Sequence, residues 1–512
     1  MAGKARKEKL GKGIISLPRL IYTKTIMDPI HGCIPLTQLE YDLLQLPALN
    51  RLHNIHHLGL AYLVYPAAKT SRLEHSLGVM HIASKMVYQI LETSTPKEIK
   101  DVFDLNPSRR EFAKNCYNLI QKVRLAALLH DIGHGPYSHV TESFLRKTLR
   151  DSEIKEAMDL FECKKEKDIP GHEYFSYRML VDDSSEIKKI IESHKQCKIK
   201  TEEIAELLIK KETGNEATRI LRKIISSQLD ADRMDNLLRD SHATGVPFGL
   251  TDLNRVIHNI FISEYNGKYE LVVHERALRG VEDILDARIK MYKSVYSHHL
   301  ICALEKLLEE AINLMINDQL LKKEDFRFEK FLEGESTDDL IYFKLKEYQK
   351  NRPEFRAFFD RRYIPVAIIK RDLDVKNFIE EIGSSIRKEI HRNEVIKMFE
   401  NWLKALEQKG VKMKISGESF FKDLMVLPSI KSFSPYKTLT EEERILVGRK
   451  GGKPMDLLVA SPYVESLNRE AEESQNAFFR LSFLFPNTPK NEEKKYFKKV
   501  KNILIKSIIN SA

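Results

Sequence analysis

Between residues 126 and 139 the chain reads Ala126-Ala127-Leu128-Leu129-His130-Asp131-Ile132-Gly133-His134-Gly135-Pro136-Tyr137-Ser138-His139. Three histidines and an aspartate follow directly on an apolar helical run. On a continuing helix, His130 and His134 would share one face, being four residues apart. Asp131 adds a hard oxygen ligand beside the first histidine. Gly135 and Pro136 stop the helix, and Ser138 is suited to cap the next one, with His139 at the turn facing the same space. Imidazole and carboxylate side by side at a helix end is metal-ligand chemistry.

Two other helical stretches carry polar residues among apolar neighbours: His75 in Arg72-Leu73-Glu74-His75-Ser76-Leu77-Gly78, and Asp232 in Asp230-Ala231-Asp232-Arg233-Met234-Asp235. His75, His130, Asp131 and Asp232 together can hold one divalent ion and leave positions for water and a phosphate oxygen. Such a donor set accepts Mn, Mg, Fe or Zn, so it does not name the metal. A histidine near its natural pKa suits the protonation of a leaving oxygen. His134, His139 and His172 are the candidates, with Glu142 and Glu173 available to orient them. A polyphosphate also needs cations, and Arg72, Arg233 and Arg288 lie close in sequence to these landmarks or on a basic helix. On that helix Arg288, Tyr292, Tyr296 and His299 share a face.

Composition narrows the class. The chain has 512 residues, 42% of them hydrophobic, enough for one large or two to three ordinary domains. No apolar run is long enough for a membrane span, and the first residues lack the apolar core of a signal peptide. Five scattered cysteines, never in Cys-x-x-Cys, read as free thiols in a reducing cytoplasm. The net charge of +10 favours a polyanionic ligand, a nucleoside triphosphate or, weakly, nucleic acid.

The pattern is mainly α. Residues 1–25 read as a basic arm, 26–334 as a helical core, and 335–512 as a smaller mixed α/β region serving assembly or regulation. Helical spacing runs from Glu40 to His57, from Leu73 to Leu91, and as one long helix from Arg276 to about Leu314. Residues 261–273 read as a hairpin turning at Asn266-Gly267. Tyr363–Ile369, Leu424–Leu427 and Leu457–Ala460 read as strands. Gly448–Pro454 superficially resembles a phosphate loop, but Pro454 replaces the required Ser or Thr, so a hairpin turn is expected.

The order His, His-Asp, Asp over about 160 residues resembles that of the HD-domain metal-dependent phosphohydrolases. Within them, the chain is most similar to the deoxynucleoside triphosphate triphosphohydrolases of the SAM-and-HD-domain type, without a SAM-like domain before the core. The likeness covers roughly residues 24–300. It rests on Asp28-Pro29-Ile30-His31-Gly32, the two stretches around His75 and Asp232, the His130–His139 stretch, Gly171-His172-Glu173, Arg239-Asp240, and Arg288 through Tyr296. The resemblance implies a helical HD-domain core that cleaves deoxynucleoside triphosphates at the α-phosphorus, releasing deoxynucleoside and inorganic triphosphate. It implies that His75, His130, Asp131 and Asp232 bind metal, and that His134, His139, Glu142 and His172 line the reaction centre, with His139 as the acid. By the same likeness Arg72 and Arg288 bind phosphates, Asp240 accepts the sugar 3′-hydroxyl, and Tyr296 and Leu58 crowd the 2′ position. Homo-oligomers (dimers building tetramers or hexamers) are implied as well.

The chain departs from that pattern in places. Glu142 stands where the family has Asp, Asn236 where it has Tyr, and Arg233 where regulated members have Lys. Those members read an activating guanine nucleotide with Asp-x-Pro-x-x-Gln-x-x-Arg. Here the stretch is Gln45-Leu46-Pro47-Ala48-Leu49-Asn50-Arg51-Leu52-His53, so activation of that kind is expected to be absent or altered. Two other readings compete: an HD-type phosphodiesterase or nuclease acting on cyclic or oligomeric nucleotides, and a non-catalytic nucleic-acid-binding or assembly protein.

Overall fold

A computed structural model of the chain describes residues 17–209, 215–386, 394, 397–399, 401–402, 424–432, 436, 444–473 and 477–510. Most of the basic arm expected over residues 1–25 lies outside them. Among the described residues helices predominate, around a continuous apolar core that runs from Leu20 to Ala357 and takes in Met425, Leu427, Val447 and Leu484 from the C-terminal region. A second core, built from Val366, Phe378, Trp402, Phe483 and Leu504 among others, fills the C-terminal region itself. No described helix is long and apolar enough to cross a membrane.

Local chemistry explains where the site-bearing helices begin. The His75 helix (Arg72–Thr93) opens with a reciprocal cap: Ser71 Oγ accepts the Glu74 N–H and Glu74 accepts the Ser71 N–H at 2.6 Å. The Asp232 helix (Ala231–Thr244) starts on Asp230, which accepts the Arg233 N–H at 2.7 Å, and ends at Gly245 with φ +73°. The helix Phe112–Leu129 buries every side chain from Val123 to Leu129 and crosses the His75 helix in the middle of the core.

Small sheets brace this helical body. Lys24–Asp28 and Gly32–Leu36 form a hairpin. Ile260–Tyr265 and Lys268–His274 form the expected second hairpin, with Asn266 and Gly267 both at positive φ. Lys268–His274 then pairs in parallel with Leu446–Gly448, so the C-terminal region adds a strand to a core sheet. Leu446–Gly448 turns back onto Met455–Asp456, and the glycine-rich run between them is a hairpin turn, as expected. A three-stranded sheet of Val366–Ile369, Ala477–Leu484 and Met425–Ser432 completes the mixed α/β C-terminal region.

Several local expectations are corrected. The segment from Glu40 to His57 is three short pieces, Gln38–Leu44, Pro47–Asn50 and Arg51–Asn54, because Pro47 interrupts the helical bonding. The long helix expected from Arg276 is two, Leu278–Met291 and His299–Asn317, joined through a π turn at Tyr292–Tyr296. Leu457–Ala460 is a helical turn, not a strand, since Asp456 caps it through the Leu458 N–H at 2.8 Å.

The principal correction lies in the histidine-rich stretch. Its helix ends at Leu129, with His130 as the cap residue, so His134 reaches the site from a turn and not from the same helical face. Another helix, Gly171–Val181, takes over the bonding there: Ser176 Oγ accepts the Gly133 N–H at 2.9 Å and donates to the His130 carbonyl at 2.8 Å, and the two backbones approach so closely that a Cβ on Gly133 would lie 2.0 Å from the His172 carbonyl oxygen. Ser138 is not a helix cap; its hydroxyl accepts from Arg72 Nε at 3.0 Å and donates to the His56 carbonyl at 2.8 Å.

Candidate functional site

His75, His130 and Asp232 converge from three separate helix segments, their ligand atoms all within 4.8 Å of one another. His75 Nε2 lies 3.1 Å from Asp232 and 3.6 Å from Asp131. His130 Nε2 lies 3.4 Å from Asp131 and 3.8 Å from Asp232. Both Nε2 atoms are buried and make no properly angled hydrogen bond. Two unsatisfied imidazole nitrogens facing two carboxylates form a nitrogen–oxygen donor set that a divalent cation would complete.

The opposite ring nitrogens are already engaged. His75 Nδ1 bonds Asp235 at 2.8 Å, and His130 Nδ1 donates to the Ala127 carbonyl at 2.8 Å. Ligating histidines are oriented in this way. Burial disfavours the charged form of every group here, yet the Asp232 and Asp235 carboxylates outweigh it at His75 and raise its pKa to about 9. Burial likewise opposes ionisation of Asp131, but His130, Arg72 and His134 hold its carboxyl well below the usual range.

Beside it stand three more imidazoles. His134 stacks on His172 with ring centroids 4.0 Å apart, and His139 meets them edge-on at 4.9 and 5.5 Å. His134 Nε2 lies 3.4 Å from Asp131, linking the two groups. Glu142 holds His172 twice, at Nδ1 (2.8 Å) and at the backbone N–H (3.2 Å). Burial opposes charge on both partners, but the pairing overrides it: Glu142 falls to about 2 and His172 rises to about 9. His139 is exposed by surface area, at the open side of the group; crowding by the surrounding protein and the neighbouring His172 both lower its imidazole, to about 4. The longer Glu142 thus serves where the family pattern has Asp.

A cavity of about 730 Å³ opens over these groups. Its lining includes Leu58, Arg72, Arg233, Asp240, Arg288, Tyr292 and Tyr296, so each substrate-contact residue expected from the sequence faces one space. His299 does not line it, because the π turn shifts the helical phase after Tyr296. Arg72 is more engaged than a free phosphate clamp: its guanidinium pairs with Asp131 and Ser138. Arg288 is half-buried in the cavity wall; desolvation there, with nearby Arg233 adding to it, lowers its pKa. Asp240 accepts the Tyr296 hydroxyl at 2.6 Å, and burial lifts its carboxyl to about 7. Its other oxygen is buried without a hydrogen bond.

Some residues at the site have no role assigned from the sequence. His57 lines the cavity, stacks on His75 at 4.3 Å and bonds Asn236 at 2.6 Å; Asn236 in turn donates to Asp232 at 2.8 Å. Asn236, where the family has Tyr, therefore ties a metal-facing carboxylate to the cavity wall. Asp235 is held by His31 at 2.7 Å and by Arg239, which also reaches Asp28. The i, i+4 spacing of Asp235 and Arg239 was a visible hint; the contacts of His57 and His31 had none.

Imidazoles paired with carboxylates at helix ends, beside a cavity that three arginines line, are the centre of a metal-dependent phosphohydrolase. Residues 72–240 match the family model described as HD domain, and residues 251–356 match that described as HD associated region. An uncharacterised protein of Methanocaldococcus jannaschii is 30% identical over 402 residues, spanning 76% of this chain and 73% of its own length. One of Mycoplasma genitalium is 30% identical over 450 residues, spanning 77% and 96%. The chain belongs to the HD-domain phosphohydrolase family. The human deoxynucleoside triphosphate triphosphohydrolase SAMHD1 is 27% identical over 59% of this chain and 45% of its own length. A hypothetical protein of Aquifex aeolicus shares the fold at TM-score 0.61 and 22% identity, covering 94% of this chain and 99% of its own. A phosphohydrolase from Bacteroides thetaiotaomicron does so at 0.58 and 21%, covering 90% and 98%.

Proposed function

We propose that the protein is a deoxynucleoside triphosphate triphosphohydrolase, splitting its substrate at the α-phosphorus into deoxynucleoside and inorganic triphosphate. The observation that carries the reading is that one cavity is lined by the carboxylates of the candidate metal centre, four imidazoles, three arginines and the Asp240–Tyr296 pair. Likeness to SAMHD1 adds support. A divalent cation held by His75, His130, Asp131 and Asp232 would neutralise phosphate charge and make a water more acidic.

The chain's own groups supply the rest. Arg233 and Arg288 meet the triphosphate, and Arg72, which lines the same cavity while paired with Asp131, stands beside them. The arriving negative charge raises the proton affinity of His139, which is neutral in the free site. Loaded in that way, His139 protonates the leaving 5′ oxygen, while Glu142 fixes the charged His172 against His134. Asp240 accepts the sugar 3′-hydroxyl, and Leu58 and Tyr296 leave no room for a 2′-hydroxyl. Gln45, Asn50 and His53 replace the Asp, Gln and Arg of the guanine-reading pattern, so guanine-nucleotide activation of that kind is absent or altered. A homo-oligomer, a cytoplasmic setting, and an assembly or regulatory role for residues 335–512 complete the proposal.

The deciding experiment incubates manganese-loaded protein with each of the four dNTPs and rNTPs and identifies products by mass spectrometry. Deoxynucleoside with intact triphosphate supports the reading. Cleavage only of cyclic or oligomeric nucleotides would replace it with a phosphodiesterase.

A further inference from the structure

Two irregular segments from distant parts of the chain meet behind the cavity. His56–Gly59 carries His57 and Leu58 into its wall, and Pro136–His139 carries His139. Tyr137 and Ser138 both lie in the left-handed region, at φ +54° and +57°, a conformation that side chains of this kind avoid unless the surroundings impose it.

Asp338 supplies that constraint. It is the first residue of the helix Asp338–Tyr348, its side chain is 5% exposed, and it lies in the region that follows the HD domain. One carboxylate oxygen accepts the Tyr137 N–H at 2.5 Å. The other accepts the His56 N–H at 2.9 Å and sits 2.6 Å from His56 Nδ1. All three contacts leave its own helix, so this carboxylate is spent on joining the two segments. Ser138 seals the junction by donating to the His56 carbonyl, and Gly59, at φ +52°, lets the backbones close: a Cβ there would lie 3.3 Å from the Tyr137 carbonyl oxygen.

We infer that Asp338 is a positioning residue, which locks the His57–Leu58 wall and the His139 turn into one unit at fixed separation. The inference rests on the proposed function for the step it affects. Without the carboxylate, Tyr137 is released from its left-handed conformation and His139 leaves the edge of the His134–His172 stack. None of His75, His130, Asp131 and Asp232 bonds Asp338 among the described contacts; the clamped segments reach them only through intermediates, His57 against His75 and Asn236, and Ser138 through Arg72 to Asp131, so the candidate metal centre is disturbed less than the His139 turn.

The test compares Asp338→Ala and Asp338→Asn with wild type in the full chain, by hydrogen exchange, manganese stoichiometry and steady-state kinetics on dNTPs. Peptides covering residues 55–60 and 136–141 should exchange faster together, while residues 76–93 and the metal content change less. In the same variants kcat should fall about 10–100-fold with KM shifted less than about threefold, since misplacement of an acid affects the chemical step more than binding. Asp338→Asn, which keeps one accepting oxygen, should fall between wild type and Asp338→Ala, and it decides the matter if Asp338→Ala does not fold. Exchange confined to residues 336–345, or an unchanged kcat, overturns the inference. If wild type releases triphosphate from no dNTP, the proposed reaction fails, and the exchange pattern alone decides for or against the clamp.

Discussion

His75 is gripped from behind by Asp235: Nδ1 meets that carboxylate at 2.8 Å, which turns Nε2 toward Asp232 and Asp131. Asp235 is itself held by His31 and Arg239, so the imidazole is locked by a chain of bonds reaching to Asp28. Removing such a support weakens metal binding by about 10–100-fold. Asp235→Asn is therefore expected to raise the manganese dissociation constant by that factor in a calorimetric titration. An unchanged constant would show that His75 needs no such support.

Gly78, one turn further along the same helix, leaves room for this arrangement. A Cβ there would fall 1.9 Å from Asp235 Oδ1 and 2.5 Å from an Arg239 nitrogen. Gly78→Ala should destabilise the protein by about 1–3 kcal/mol, the ordinary range for overpacking, and should also lower manganese affinity. Chemical denaturation measured alongside the titration checks both effects.

Tyr296 meets Asp240 at the wall assigned to the sugar. Tyr296→Ala opens the 2′ position and should narrow the preference for dATP over ATP, by about tenfold in the ratio of kcat/KM, in line with the modest discrimination available to a pocket that works by exclusion. Parallel kinetics on the two substrates provide the measurement. An undiminished ratio would move the discrimination elsewhere.

GTP should not activate dATP hydrolysis. The guanine-reading pattern is lost at Gln45, Asn50 and His53. A titration of GTP into the assay checks this; strong activation at micromolar concentrations contradicts it.

Glu493 gives a pH dependence outside the site. Burial lifts its carboxyl to about 8, while the Phe485 N–H, bonded at 2.7 Å, pulls the other way. Between its unfolded value near 4.5 and about 8 the folded protein keeps a proton that the unfolded chain releases. Stability therefore falls as pH rises through this window. Glu493→Gln keeps an accepting oxygen without the charge, so it should melt above wild type at pH 9, with the difference shrinking by pH 5. Thermal melts across that range read the effect directly.

The candidate centre was legible residue by residue because its chemistry is local in composition. His75, His130, Asp131 and Asp232 are polar groups on otherwise apolar helical stretches, and an unpaired polar group has no place in a core. The Asn266-Gly267 hairpin was legible for a similar reason, since only certain residues accept positive φ at both turn positions. Errors arose where one segment presses on another. Helical spacing places His130 on one face with His134, but Ser176 of Gly171–Val181 bonds the Gly133 N–H and the His130 carbonyl in place of the helix, and the chain turns there. The helix expected from Arg276 carries a π turn that spacing does not reveal.

Residue order and periodicity thus specified a mainly α chain, its HD character, and the side chains expected around a metal. They could not specify what holds those side chains in position. Asp235 meets His75 across 160 residues, His31 across 204, and Asp338 reaches Tyr137 across 201. A carboxylate on a helix looks the same in sequence whether it faces solvent or bonds a buried imidazole. Which of these it does is settled by the packing of distant segments, where an unpaired charge is costly and a paired one is fixed in place.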